Sequence, residues 1–209
     1  FEETQDQYQA IEDCKKDLQS SSPMDRLICG DVGFGKTEVS FRAAVKTVID
    51  GHKQAALLVP TTVLAMQHYD YFKERIGEFP IRVEILSRLQ SSSHVTATLK
   101  DLKAGKIDIL VGTHKILGKS VIFKDLGLLM IDEEQRFGVQ AKEHLKKLKE
   151  SIHSLTLSAT PIPRTLYLSL MGTRDLSLLN TPPISRLPIQ NYITESNYEI
   201  IQQAIHKEI

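Results

Sequence analysis

The sequence contains no tryptophan and only two cysteines, and aromatic residues make up 6% of its 209 residues. With so few aromatic side chains, a large surface for stacking nucleic-acid bases is not expected. Cys14 and Cys29 cannot build a disulfide framework, so we expect two packed thiols in a reduced, cytoplasmic protein. No apolar run approaches the roughly 18 residues that a membrane-spanning helix needs, which predicts that the chain has no membrane partner.

An excess of charge of either sign is also missing. The 26 lysines and arginines balance 26 aspartates and glutamates, which gives a formal net charge of +0. This balance argues against nucleic-acid binding by bulk charge, although it leaves room for a local basic surface. The lysines within residues 142–149 form such a cluster, and we interpret them as a solvated helix face.

Short, nearly continuous apolar runs alternate with amphipathic segments along the chain. The runs cover residues 26–29, 55–59, 107–111, 126–131 and 154–157. Runs of this kind are typical of strands that are buried on both faces of a parallel sheet. The helices predicted around them cover residues 4–20, 36–50, 63–76, 91–104, 140–150 and 161–171. The alternation predicts an α/β fold, with a mostly parallel open sheet and helices on both of its faces.

Prolines cluster towards the end of the chain. Three of them fall within residues 181–188, which predicts a linker. One predicted strand, at 189–193, and one predicted helix, at 197–207, follow the linker and are too little to form a core. We therefore expect residues 1–180 to form one domain and residues 189–209 to be the truncated start of a second.

A glycine-rich segment follows the first apolar run. Residues 30–37 read Gly-Asp-Val-Gly-Phe-Gly-Lys-Thr and match the P-loop pattern G-x-x-x-x-G-K-[ST]. Glycines let backbone N–H groups approach phosphate oxygens, and the N-terminus of the following helix favours an anion. Lys36 is expected to reach the β- and γ-phosphates of a nucleotide, and Thr37 to bind Mg²⁺. The predicted nucleotide-binding residues of this loop are Gly30, Asp31, Gly33, Gly35, Lys36 and Thr37.

Two acidic residues end the apolar run at 126–131. Asp132 and Glu133 therefore lie where open parallel sheets bind their ligands, at the carboxyl end of a strand. Asp132 is expected to hold Mg²⁺, and Glu133 to orient and deprotonate an attacking water. An ordinary acidic strand end is the alternative, and the nearby P-loop argues against it. Lys36, Asp132 and Glu133 are the predicted catalytic residues.

These two motifs and their neighbours resemble the first RecA-like motor domain of the superfamily 2 helicases. Residues 4–7 are similar to the Q motif, 60–68 to motif Ia, 111–117 to motif Ib and 158–165 to motif III. The resemblance covers nearly the whole chain. It implies a RecA-like P-loop NTPase domain that binds ATP with Mg²⁺ and acts as a helicase-type ATPase.

The resemblance also assigns roles outside the P-loop. It implies that Gln7 reads adenine, since an amide donates and accepts in one plane; a polar first helical turn is the alternative. It implies that Ser158 and Thr160 link the nucleotide to the nucleic-acid surface through the acidic pair. Gln135 and Arg136, which follow that pair, are expected to share this coupling role.

Motifs Ia and Ib of the family hold a nucleic-acid strand by its phosphates. The residues implied for this role are Thr61, Thr62, Thr113 and Lys115, because hydroxyl groups and a cation suit phosphate oxygens. Thr61 and Thr113 can instead serve as helix caps, and the two roles are compatible. His68 and His114 lie within the same two segments, and a nucleic-acid or coupling role is the alternative to a purely structural one.

A closer resemblance is carried by residues 136–139, 160–166 and 172–177. Together they are similar to the branch of the family that contains RecG and the transcription-repair coupling factors. RecG-like proteins usually read Asp-Glu-Gln-His at the acidic motif, whereas residues 132–135 read Asp-Glu-Glu-Gln, as in the coupling factors.

This branch implies a motor that uses ATP to move on double-stranded DNA and displace stalled RNA polymerase in transcription-coupled repair. RNA polymerase and the excision-repair proteins are expected to bind regions outside this chain. A RecG-like fork-remodelling helicase is one alternative, and a nucleotide-binding switch without nucleic acid is another. The family takes arginine fingers from a second RecA-like domain, so we expect this chain alone to hydrolyse ATP very weakly or not at all.

Overall fold

The computed structural model describes residues 2–159, 174–183 and 193–208. Its strands are β1 (Asp25–Gly30), β2 (Gln54–Leu58), β3 (Val83–Leu86), β4 (Ile109–Gly112), β5 (Leu126–Asp132), β6 (His153–Ser158) and β7 (Asp175–Leu179). Its helices are α1 (Gln5–Leu18), α2 (Lys36–Ile49), α3 (Thr62–Ile76), α4 (Ser92–Lys103), α5 (Val139–Lys149) and α6 (Tyr198–Glu208). Two short 3₁₀ turns, His114–Leu117 and Glu134–Arg136, follow β4 and β5.

The strands form one sheet in the order β3-β4-β2-β5-β6-β1-β7, and every pairing between them is parallel. The carboxyl ends of all seven strands therefore meet at one edge. The loops after β1 and β5 lie on one part of this edge, and the loops after β2 and β4 lie on the other. Strand order thus places the predicted nucleic-acid-binding segments beside the predicted nucleotide-binding segments, because β2 is the direct neighbour of β5.

The core has two layers, one on each face of the sheet. Strand β2 is buried along its whole length, and its side chains alternate between the layers. Ala55 and Leu57 pack in the cluster that contains residues of α1, α2 and α3. Ala56 and Leu58 pack in the cluster that contains residues of α4 and α5. This arrangement confirms the predicted α/β fold with helices on both faces.

Three helices begin at a hydroxyl side chain that caps them. Thr4, Thr61 and Ser91 each accept a hydrogen bond from a backbone N–H in the first turn, at the starts of α1, α3 and α4. Such a cap contributes about 0.5–2 kcal/mol. These caps fix the helix starts close to where the sequence predicts them.

Two strands of the sheet are missing from the sequence prediction. Strand β3 lies at one edge of the sheet and carries the half-buried Glu84 between buried apolar residues. Strand β7 lies at the opposite edge and exposes Asp175 and Leu178. Edge strands need burial on fewer sides, so neither reads as a continuous apolar run.

Part of the predicted C-terminal organisation lies outside the described residues. This holds for the helix at 161–171, for residues 184–188 of the linker and, apart from Ile193, for the strand at 189–193. The last predicted helix, at 197–207, is found as α6. The division into a first domain, a linker and the start of a second domain stays a prediction.

The two cysteines are packed as predicted. Cys14 on α1 and Cys29 on β1 are 1% and 3% exposed, and neither forms a disulfide. Burial raises the pKa of Cys14 to about 12 and that of Cys29 to about 11. Within the described ranges, no helix is both long and apolar enough to cross a membrane.

Candidate active site

The P-loop joins the carboxyl end of β1 to the start of α2. Gly33 and Gly35 have φ angles of 81° and 82°, in the left-handed region that glycine adopts without strain. A Cβ atom on Gly35 would lie 2.4 Å from Nε2 of Gln7, so a side chain is excluded there by space as well as by conformation. The loop thus turns tightly and leaves the N-terminal N–H groups of α2 available to an anion.

The cation of the loop is Lys36. Its Nζ donates to the backbone oxygens of Gly30, at 2.7 Å, and Asp31, at 2.9 Å. Burial lowers the pKa of Lys36, and the carboxylates of Asp132 and Glu133 oppose that shift. Lys36 and the acidic pair therefore act on one another electrostatically.

Gln7 connects helix α1 to the P-loop and is fully buried. Its Nε2 donates to the backbone oxygen of Phe34 at 2.9 Å, and its Oε1 accepts from the backbone N–H of Thr4 at 3.1 Å. With the bond from its own backbone to the Thr4 hydroxyl, these contacts form a capping box. The polar first turn considered as an alternative is thus present, and adenine reading stays a prediction.

Asp132, at the end of β5, contacts one of the two histidines that lie in the motif Ia and motif Ib segments. Its Oδ2 lies 3.1 Å from Nε2 of His68 on α3. An ionised carboxylate only accepts hydrogen bonds, so Nε2 carries the proton in this contact. The side chains of His68 and Asp132 are 9% and 14% exposed, which shields the bond from solvent.

Glu133 has an unusual backbone conformation, with φ at 52° in the left-handed region. Its backbone N–H donates to the oxygen of Leu157 at 3.1 Å, and its Oε1 accepts from the N–H of Ala159 at 3.2 Å. The amide of Gln135 donates to its other oxygen, Oε2. A left-handed non-glycine residue costs about 1–3 kcal/mol and is often found at functional sites. The surrounding bonds hold the Glu133 carboxylate against the end of β6.

The coupling residues predicted from the family are only partly described. Ser158 ends β6 one residue before Ala159, whose N–H reaches Glu133. Thr160 lies outside the described residues. Arg136 lines the same cleft as Glu133. The structure therefore joins β6 to the acidic pair through a backbone N–H, a donor that does not depend on residue type and so leaves no mark in the sequence.

A cleft of about 1020 Å³ brings the predicted catalytic residues together. The P-loop, the start of α2, one side of α3 and the acidic pair all line it, and its size suits a small-molecule ligand. Thr37 and Asp132 offer it a hydroxyl and a carboxylate, the oxygen ligands that Mg²⁺ prefers. No cluster of three or more His, Cys, Asp or Glu side chains suited to a metal occurs in the described ranges. These residues fit Mg²⁺ that takes its remaining ligands from water and nucleotide oxygens.

Glu38, one residue after Thr37, is a further buried acid of this cleft, and the sequence prediction missed it. Its side chain is 2% exposed and accepts from Tyr71 Oη at 2.5 Å and from Arg42 Nε at 2.9 Å. Arg75 donates to both of its oxygens, at 2.6 and 3.2 Å. Burial and the Glu38 carboxylate raise the pKa of Tyr71 to about 12. This cluster fastens α2 to α3 beside the P-loop.

One predicted surface feature is wrong in part. Lys149, at the end of the helix face interpreted as solvated, is 13% exposed in its side chain. Its Nζ lies 2.8 and 2.9 Å from the two carboxylate oxygens of Glu134. Glu134 also accepts a bond from Thr156. The third residue of the acidic motif therefore anchors α5 to the sheet, which explains why one lysine of the cluster is half-buried.

The predicted nucleic-acid-binding residues follow β2 and β4. Thr61 is exposed, Thr62 is half-buried, and the Thr61 hydroxyl caps α3 by accepting from Leu64 N at 3.2 Å. Thr113 is only 4% exposed. Lys115 is half-buried, and its Nζ donates to the backbone oxygen of Ser87 at 3.1 Å. Thr61, Thr62 and Lys115 are thus the members of this set that reach the surface.

Comparison with known proteins assigns the family. The family model for DEAD/DEAH box helicases matches residues 4–168, and the chain belongs to this family. The particular relatives are the transcription-repair-coupling factors, as the sequence resemblance predicted. The chain is 54% identical over its whole length to the factor of Bacillus subtilis and 53% identical to that of Staphylococcus epidermidis. It spans 18% of the length of each of these relatives.

Solved structures agree with this assignment. A structure of RecG bound to a three-way DNA junction has a TM-score of 0.76 and 35% identity, and the match covers 91% of this chain and 25% of that one. The DUF1998 helicase MrfA bound to DNA and AMPPNP has a TM-score of 0.67 and 19% identity, over 97% of this chain and 32% of that one. The second likeness concerns the fold alone.

Proposed function

We propose that this chain is the ATP-binding motor domain of a DNA translocase that acts in transcription-coupled DNA repair. In this proposal, ATP hydrolysis drives movement on double-stranded DNA and so displaces stalled RNA polymerase. The observation that carries the proposal is the meeting of Lys36, Asp132 and Glu133 in one cleft. The identity of 53–54% to transcription-repair-coupling factors supports the assignment to this branch.

The proposed chemistry is the hydrolysis of ATP to ADP and phosphate. Lys36 exchanges its contacts with loop carbonyls for contacts with the β- and γ-phosphates, where its charge stabilises the developing negative charge. Thr37 and Asp132 would hold Mg²⁺, which would neutralise charge on the phosphate oxygens. Glu133, oriented by the N–H of Ala159, accepts a proton from the attacking water.

The other predicted ATP-binding residues hold the nucleotide rather than react with it. The backbone of Gly30, Asp31, Gly33 and Gly35 surrounds the phosphates, and the close fit of Gly35 against Gln7 supports a rigid cradle. Gln7 is proposed to read adenine from the same position. Its place in the lining of the cleft supports this.

Thr113 is only 4% exposed, so its proposed role is to support the loop after β4, where its backbone oxygen accepts from the N–H of Ile116. The proposed DNA contacts are made by Thr61, Thr62 and Lys115. Their position after β2 and β4, at the same sheet edge as the nucleotide site, supports a surface that senses the nucleotide. RNA polymerase and excision-repair proteins are proposed to bind regions outside this chain, in a cytoplasmic protein.

We further propose that the chain alone turns over slowly. Of the described residues that line the cleft, the arginine is Arg136, which follows the acidic motif and is proposed to couple rather than to act as a finger. An arginine finger contributes roughly 10³–10⁵ in rate. A second RecA-like domain is its proposed source.

Nucleotide binding by Lys36→Ala tests the core of the proposal. Calorimetry should show Mg²⁺-dependent ATP binding by the wild-type chain and a loss of at least about tenfold in the variant, because a charge-assisted contact to phosphate is removed. Lys103→Ala, an exposed lysine at the end of α4, is the matched control and should bind as wild type does. Equal affinity of Lys36→Ala and wild type would show that the cleft is not the ATP site.

A RecG-like fork-remodelling helicase is the second candidate, and the 35% identity to a RecG structure favours it. A chain extended through the second motor domain and its flanking regions separates the candidates. Displacement of a stalled polymerase supports the first, and preferential ATPase stimulation by a three-way junction supports the second. An ATPase that no DNA stimulates would leave a nucleotide-dependent switch instead.

A further inference from the structure

Helix α3 forms a wall of the nucleotide cleft and reaches its acidic pair. Thr61, at the start of the helix, and His68, about two turns further along, both line the cleft. His68 is 8% exposed as a whole residue, so its ring is packed rather than solvated. The packing around α3 therefore holds the ring in one position.

The bond between His68 and Asp132 joins two segments that lie 64 residues apart in the sequence. Nε2 donates to Oδ2 at 3.1 Å, so one oxygen of the carboxylate is engaged. None of the hydrogen bonds between described residues reaches the other oxygen, Oδ1, which is the one proposed to face a ligand. A carboxylate at the end of a strand is otherwise free to rotate about its side-chain torsions. A single hydrogen bond from a packed ring removes that freedom.

We propose that His68 is a positioning residue for the metal site, which orients the Asp132 carboxylate towards Mg²⁺. This inference rests on the proposed function, because it takes Asp132 as a ligand of the nucleotide-bound ion. Side chains that orient metal ligands typically contribute 10–100-fold to metal affinity. In this proposal His68 acts through Asp132.

The substitutions that test this differ in whether they keep a donor at the Nε2 position. His68→Leu fills a similar volume without a donor. His68→Gln places an amide N–H close to where Nε2 lies, whereas His68→Asn is too short to reach. The matched control is His94→Leu, a histidine on α4 that is 45% exposed in its side chain and lies 3.7 Å from Glu84.

The measurement is the Mg²⁺ concentration that half-saturates binding of a fluorescent ADP derivative to the chain, together with ADP affinity in EDTA. We expect His68→Leu to raise the half-saturating Mg²⁺ by about 10–100-fold and to leave affinity in EDTA within about twofold. His68→Gln should restore the Mg²⁺ requirement to within about threefold of wild type. His94→Leu should match wild type in both.

An unchanged Mg²⁺ requirement in His68→Leu, while Asp132→Asn raises it, would overturn the role of His68 and leave the proposed function standing. If the wild-type chain binds the nucleotide without any dependence on Mg²⁺, the proposed function itself fails. If His68→Leu does not fold by circular dichroism, His68→Gln and His68→Asn supply the comparison. A Mg²⁺ requirement that is raised in His68→Asn but not in His68→Gln supports the inference, and equal Mg²⁺ requirements in these two variants refute it.

Discussion

The buried carboxylate of Glu38 provides the sharpest test of how the P-loop helix is held in place. Its side chain is 2% exposed and accepts four hydrogen bonds, from Tyr71, Arg42 and twice from Arg75. Glu38→Ala removes the acceptor of all four bonds at once. We expect a large loss of stability, because α2 and α3 are fastened to one another through this group.

The size of the loss follows from the exposure of the partners. Removing one member of a buried ion pair costs about 3–5 kcal/mol, because the charge that remains is left without solvent. Here the side chains of Arg42 and Arg75 are 33% and 36% exposed, so water can hydrate both once Glu38 is gone. We therefore expect Glu38→Ala to lower the free energy of unfolding by about 2–3 kcal/mol, and Glu38→Gln by about 1–2 kcal/mol.

Urea unfolding followed by circular dichroism measures these differences. Glu74→Ala, on the exposed surface of α3, is the matched control and should change stability by less than about 0.5 kcal/mol. Tyr71→Phe should cost about 1 kcal/mol, and its combination with Glu38→Gln should cost less than the sum, because both changes remove the same bond. A Glu38→Ala variant within about 0.5 kcal/mol of wild type would refute the view that this cluster holds α2 against α3.

Three further predictions concern other parts of the chain. Gly35→Ala should weaken ATP binding and lower the free energy of unfolding by about 1–2 kcal/mol, because the φ of Gly35 is 82° and an added Cβ would meet Gln7. An unchanged ATP affinity by calorimetry and an unchanged stability in urea would contradict this. Cys14 and Cys29, with pKa values near 12 and 11, should resist an aromatic disulfide reagent at pH 8 until urea unfolds the chain. The reason is that little of a thiol is ionised to the reactive thiolate when the pH lies well below its pKa. Rapid labelling of the folded chain would show that the two thiols are not buried. DNA binding should be independent of sequence and should weaken as salt rises, and Lys115→Ala should reduce the salt slope by about one; a salt-independent affinity would count against phosphate contacts.

The central strands of the sheet and the P-loop can be predicted from local sequence. A parallel strand covered on both faces must be apolar along its length, so β2 and β5 stand out as continuous runs. The P-loop needs glycines and a lysine at fixed spacing, and both requirements are local in sequence. The caps Thr4, Thr61 and Ser91 act within one helical turn, which is why helix starts were predicted well.

The edge strands were harder to predict, because local sequence carries only part of what decides them. Strand β3 becomes a strand by pairing with β4, and β7 by pairing with β1. Each of these strands is paired on one side only and has a sequence that is only partly apolar. Its conformation therefore depends on the neighbouring strand with which it pairs.

Contacts between side chains that are distant in the sequence depend on the assembled fold. The contacts of Asp132 with His68, of Glu38 with Tyr71, and of Lys149 with Glu134 all join different elements. Each contact depends on strand order, register and helix placement. The identities of the two contacting residues do not predict any of these. A chain can signal the chemistry of a loop through local spacing, but a hydrogen bond across the core exists only once the sheet has assembled.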